Sequence, residues 1–145
     1  MSRRSVGDTK LSQQPVPRKD ALQYSTLVQA KASEKGFDWP DSFGVLEKLD
    51  EELGEIREAL LREDSRHAVR ELGDLLLAAV NLARFLKCDA SEALADATDR
   101  FSRRFAALEQ ALETAGLRMD QCSLEELDAV WRRIKLATDV SAESP

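Results

Sequence analysis

The sequence predicts an all-α fold, a helical bundle of four main helices plus a shorter one, and three observations predict it. Apolar residues recur at three- and four-residue steps through most of the 145-residue chain, the period that aligns side chains along one face of a helix. Helix start and stop signals fall between these stretches, including two capping boxes, Asp89 with Glu92 and Ser123 with Glu126. The composition, with six Gly, four Pro and few β-branched residues, does not suit a many-stranded sandwich, and no segment alternates in polarity as a strand would.

The first helix is predicted over about 20–34, with Ala21, Tyr24, Leu27 and Val28 on one side and Gly36 as its stop. The loop Gly36-Phe37-Asp38-Trp39-Pro40 then crowds two aromatics beside a proline. The second helix starts near Asp41 or Ser42, and Leu46, Leu49, Leu53, Ile56 and Leu60 form a continuous stripe expected to face the core. The third spans about 66–87. Its stripe is Val69, Leu72, Leu76, Ala79, Ala83 and Leu86, widened by Leu75 and Leu82, which predicts a central position. The fourth opens at the Asp89 box, carries Leu94, Thr98, Phe101, Phe105, Leu108 and Leu112, and stops at Gly116. The fifth opens at the Ser123 box and buries Leu127, Trp131 and Ile134. There is no internal repeat.

Residues 1–19 stand apart. They hold five of the chain's 21 bases and one of its 27 acids, with Pro15 and Pro17 and no helical period, and read as a mobile basic tail. The helical domain is expected over 20–140, with 141–145 frayed. The net charge of -6 argues against non-specific nucleic-acid binding as the main activity. A polyanionic partner would need positive charge from elsewhere, and a divalent cation is the obvious source. Cys88, Cys122 and the single His67 match no zinc-site spacing. They fit free thiols in a reducing cytosol, so the protein is expected to be cytoplasmic. The longest apolar run, Leu75 to Val80, is far too short to span a membrane. The N-terminal bases are followed by no apolar stretch, so no signal peptide is expected.

Two places carry chemistry. On the second helix, Glu52 and Glu55 share a face at i, i+3 beside Glu51, one residue before the apolar stripe. On the third, Glu71 and Asp74 repeat that spacing, and the row continues to Asn81. If these helices form an antiparallel hairpin, four carboxylates converge and repel unless a cation lies between them, and hard oxygen ligands select Mg²⁺, Mn²⁺ or Ca²⁺. The second place spans the last two helices. Arg100 and Arg104 flank Phe101 and Phe105, and Trp131 and Lys135 stand at i, i+4. A flat ring beside cations suits a nucleotide. Spacing alone leaves the plainer readings open: solvated acidic faces, a core Trp131 and surface arginine ion pairs.

These segments, in this order, resemble the MazG family of all-α nucleoside triphosphate pyrophosphohydrolases, in particular the C-terminal catalytic domain of two-domain members. The acidic signature stands as Glu51-Glu52-Leu53-Gly54-Glu55 and Glu71-Leu72-Gly73-Asp74. Gly36-Phe37-Asp38-Trp39-Pro40-Asp41 precedes it, and Val80-Asn81-Leu82-Ala83-Arg84 follows. Arg100-Phe101-Ser102-Arg103-Arg104-Phe105 and the stretch from Glu125 through Trp131 to Lys135 complete a likeness over about 20–137.

The resemblance implies hydrolysis of a nucleoside triphosphate to the monophosphate and pyrophosphate, as nucleotide-pool clearance, with Mg²⁺ required and Mn²⁺ as a substitute. It makes Glu52, Glu55, Glu71 and Asp74 the metal ligands. Glu51 is an adjacent acid whose part lies between supporting those ligands and orienting water. It assigns Arg100, Arg104 and Lys135 to phosphates, Trp131 to the base and Asn81 to the nucleotide, and it implies a homodimer. The alternative is a catalytically silent nucleotide-binding helical dimer acting as a regulatory module, against which the complete acidic set argues. Two departures stand out. Arg100 replaces the family's usual Lys, which keeps the charge and changes its reach. The domain that precedes this one in longer members is expected to be absent.

Overall fold

The computed structural model of the protein describes residues 20–142. The expected basic tail, 1–19, lies outside the described residues, as does most of the 141–145 segment. Among the described residues there are five α-helices and no strand: α1 (Ala21–Glu34), α2 (Ser42–Leu61), α3 (Ser65–Phe85), α4 (Ala90–Thr114) and α5 (Leu124–Ala142), with a single 3₁₀ turn at Met119–Gln121. The fold is all-α, as expected, and α1, at 14 residues, is the shorter helix. No described helix is long and apolar enough to cross a membrane.

Short polar residues set the helix starts. The Asp20, Asp41 and Asp64 carboxylates accept backbone N–H bonds from the first turns of α1, α2 and α3, satisfying donors that the helix itself leaves unpaired. At α5 the capping box closes both ways: Glu126 N–H donates to Ser123 Oγ at 3.2 Å, and Ser123 N–H donates to Glu126 Oε2 at 2.8 Å. Gly36 and Gly116 stop α1 and α4 at positive φ, as the sequence suggests. Glu63 and Lys87 do the same after α2 and α3, each at φ 56°, a conformation uncommon for residues with a Cβ.

The described chain divides into two compact units, meeting in sequence at Glu92 and Ala93. In the first, α2 and α3 form a hairpin whose turn is closed by Asp64 N–H donating to the Ala59 carbonyl at 2.9 Å, and α1 packs on α3. The central place predicted for α3 is therefore correct within this unit. In the second, Leu108 and Leu112 of α4 are buried, and Phe101 stacks on Phe105 and tilts against Trp131 of α5.

The burial pattern corrects one expectation. The predicted core stripe of α2 is largely outward, with Leu46, Leu53 and Leu60 exposed, while Val45, Glu52 and Ala59, each one residue earlier, are buried. The same one-residue rotation holds on α3, where Ala68, Glu71 and Ala78 are buried and Val69, Leu72 and Leu76 are exposed. Small side chains at the seam let the two helices approach closely, and the acids lie in that seam rather than at its edge.

Candidate metal centre and adjoining cavities

The hairpin geometry builds the site. Glu55 and Glu71, Glu52 and Asp74, Lys48 and Ala78, and Val45 and Asn81 each lie equally far from Glu63 in sequence, so an antiparallel pair turning at that residue sets them opposite one another. Carboxylate oxygens of Glu52, Glu55 and Glu71 all lie within 4.8 Å of one another. Glu52 and Glu71 are 2% and 5% exposed, and Glu55 is the most open of the three. Asp74 stands outside this trio. It lines a cavity of about 330 Å³ together with Glu52, Lys48 and Asn81.

Among the described residues the charges of this cluster are not balanced. Burial raises the pKa of Glu71, and the neighbouring Glu55 and Glu52 raise it further, opposed by His67. The imidazole Nδ1 of His67 lies 3.3 Å from the Glu71 carboxylate. Lys48 pairs with Glu52 Oε1 and with Glu51 at 3.3 Å, and the bond to Glu52 raises its own pKa. The other oxygen of Glu52, Oε2, is buried with no hydrogen-bond partner among the described residues. A buried carboxylate oxygen left unpaired is costly. Clustered carboxylate oxygens with one lone pair set unused form the donor set that a hard divalent cation takes, so the residues present fit such an ion.

The other predicted residues divide between the units. Glu51 is exposed at the flank, held by Lys48. Asn81 is buried, and its Oδ1 accepts from Arg84 Nε and Nη2 at 3.1 and 2.9 Å. Arg100, Arg104, Trp131 and Lys135 belong to the second unit. There Arg104 donates to Asp139 at 2.6 Å and to Thr138 at 3.1 Å. Trp131 is half-buried, 5.4 Å from the Phe101 ring. Arg100 and Lys135 are exposed.

Sequence reasoning missed Lys48 and His67, although each stands one turn before the acid it contacts, Glu52 and Glu71. It also missed a second cavity of about 340 Å³ between α1, the α1–α2 loop and α3, lined by Gln29, Trp39 and Arg84 among others.

Comparison with known proteins covers the same segment. Residues 41–107 match the MazG nucleotide pyrophosphohydrolase domain model, which contains both acidic motifs. The nucleoside triphosphate pyrophosphohydrolase/pyrophosphatase MazG of Thermotoga maritima is 43% identical over 119 residues, 82% of this chain and 46% of the relative. The nucleoside triphosphate pyrophosphohydrolase of Escherichia coli K12 is 37% identical over 125 residues, 83% of this chain and 47% of the relative. The chain thus spans about half the length of the curated relatives it matches. The seam of acids, the family model over it and the identity along most of the chain lead to one conclusion: residues 41–107 of this chain form a MazG nucleotide pyrophosphohydrolase domain.

Proposed function

We propose that the protein hydrolyses nucleoside triphosphates to the monophosphate and pyrophosphate with Mg²⁺ as cofactor, Mn²⁺ substituting. The observation that carries this reading is the trio of clustered carboxylates with an unpartnered, buried Glu52 oxygen. Glu52, Glu55, Glu71 and Asp74 would hold the ion. Bound there, it would neutralise charge on phosphate oxygens and lower the pKa of the attacking water.

The chain's own groups do the rest. Lys48 holds Glu52 and Glu51 in place. Glu51, exposed beside the cluster, supports the ligands or orients water. Arg100, Arg104 and Lys135 hold phosphates and stabilise charge on the departing pyrophosphate, while Asn81 and Trp131 contact the nucleoside. The exposed leucines beside the seam, Leu46, Leu53 and Leu60, are read as the face a second copy covers in a homodimer. The reaction suits clearance of nucleotides in the cytoplasm. Support for these assignments comes from the motif order and from the relatives' names.

Pyrophosphate release is the test, measured across ribo-, deoxy- and oxidised triphosphates with and without Mg²⁺. Turnover that requires the cation and disappears in folded Glu55→Ala or Asp74→Ala is expected. A folded, Mg²⁺-supplied protein inert toward every triphosphate contradicts the proposal, and tight binding without turnover would mark a silent nucleotide-binding module instead.

A further inference from the structure

The chain has one histidine, His67, and it has no part in the reaction proposed above. Resting on that reading of the acidic seam, we propose that His67 is a positioning residue for Glu71. Its Nδ1–H holds one carboxylate oxygen of Glu71 and so keeps the other for the ion.

Three observations carry the proposal. The first is a repeated arrangement. Lys48 stands four residues before Glu52 and pairs with its Oε1, while Glu52 Oε2 is buried without a partner among the described residues. His67 stands four residues before Glu71, and its Nδ1 lies 3.3 Å from Glu71 Oε1. Glu52 and Glu71 are the two buried acids of the trio. Four residues before Glu55, the open one, stands another acid, Glu51. Bases at this spacing thus attend the buried acids alone. A ligand carboxylate with one oxygen fixed from outside presents the other in a set direction, and such outer partners are worth roughly 10- to 100-fold in metal affinity.

The second is where His67 sits. Its backbone N–H donates to Asp64 Oδ1 at 3.0 Å, which places it in the capped first turn of α3. In the hairpin it lies opposite Ala59, four residues on the other side of Glu63. That is the turn end of the acid row, and Lys48 stands at the far end. The two bases therefore bracket the acids along the seam.

The third is that His67 stands outside the trio. The oxygens of Glu52, Glu55 and Glu71 lie within 4.8 Å of one another, and among the described residues no histidine nitrogen joins that group. The His67 side chain is 45% exposed against 7% for Glu71, so it meets Glu71 from the solvent side. Its route to the ion runs through the Glu71 carboxylate and not through a bond of its own.

The test is Mn²⁺ affinity in the full-length protein, read from the free-ion paramagnetic resonance signal, in wild type, His67→Ala and His67→Asn. Asparagine keeps an N–H donor close to the place of Nδ1. His67→Ala is expected to weaken Mn²⁺ binding about tenfold and His67→Asn to restore most of it, with thermal melts confirming that both fold. Unchanged affinity in His67→Ala overturns the proposal, and so does an equal loss in both variants, because the donor is then not what matters. The wild type supplies a readout without mutation. The imidazole nitrogen resonances of its one histidine are expected to shift as Mg²⁺ fills the site, and resonances that stay in place overturn the proposal. In turnover, His67→Ala should raise the Mg²⁺ needed for half-maximal rate by a similar factor. Hydrolysis by a His67→Ala protein of unchanged Mn²⁺ affinity removes the positioning role and leaves the reaction standing. The expected affinity pattern without hydrolysis of any triphosphate upholds the role and removes the reaction.

Discussion

Asp38 and Glu71 are two carboxylates of the same helical unit, and their pKa values move in opposite directions. Asp38 is surrounded by donors: the Arg84 guanidinium, the Ser33 hydroxyl and the Trp39 amide together hold its pKa down at about 2. Glu71 is buried and faces Glu55 and Glu52, so its pKa rises. One acid is satisfied by its neighbours, and the other sits in a cluster that, among the described residues, has only Lys48 and His67 as basic partners and keeps one Glu52 oxygen unpaired. The contrast separates a structural carboxylate from those proposed to hold a metal ion. A satisfied acid stabilises the fold, whereas clustered buried acids cost stability until a cation arrives.

The largest effect that would break this contrast is on turnover. Glu55→Ala or Asp74→Ala should lower Mg²⁺-dependent pyrophosphate release by at least about a hundredfold, since even outer partners of metal ligands are worth 10- to 100-fold. Unchanged thermal melts would show that folding survives.

Next comes stability without metal. Glu71→Gln removes a crowded negative charge while keeping the shape, so the melting temperature of the metal-free protein should rise. Adding Mg²⁺ should then stabilise the wild type more than the variant. A metal-free variant that melts below the wild type would mean that Glu71 is already satisfied within the chain.

Asp38→Asn should do the reverse. The folded carboxyl ionises below its ordinary value of 3.8, so its ionised form stabilises the fold. That contribution is fully present above about pH 4 and is lost as pH falls through about 2. The variant should melt earlier at neutral pH, and the gap should narrow as acid is added, in melts recorded across pH.

The smallest effect belongs to the second unit. Arg104→Ala should cost roughly 0–1 kcal/mol of stability, because its partner Asp139 is 62% exposed, and a larger loss in denaturant melts would place this pair among the structural ones.

The helices were legible because their ends are written in side chains that act locally. Asp41, Asp89 and Ser123 accept the orphan N–H groups of a first turn, and Gly36 and Gly116 take positive φ. The acidic trio was legible because i, i+3 spacing on two antiparallel helices needs only a short turn to bring it together. The covered face was not legible. Leucines at positions 46, 53 and 60 mark a face as apolar, but nothing in a single helix says whether its partner covers that face or the neighbouring one carrying Val45, Glu52 and Ala59. The Trp39 cavity was hidden for a related reason. Its walls, Gln29, Trp39 and Arg84, come from three separate segments, and no spacing rule links them.

The central claim is that the α2–α3 seam holds a divalent cation. Mn²⁺ titration followed by electron paramagnetic resonance tests it most directly, because bound Mn²⁺ drops out of the free-ion signal. The account predicts saturable binding by the wild type and its loss in folded Glu52→Gln and Glu71→Gln. Equal binding by the wild type and both variants would contradict it.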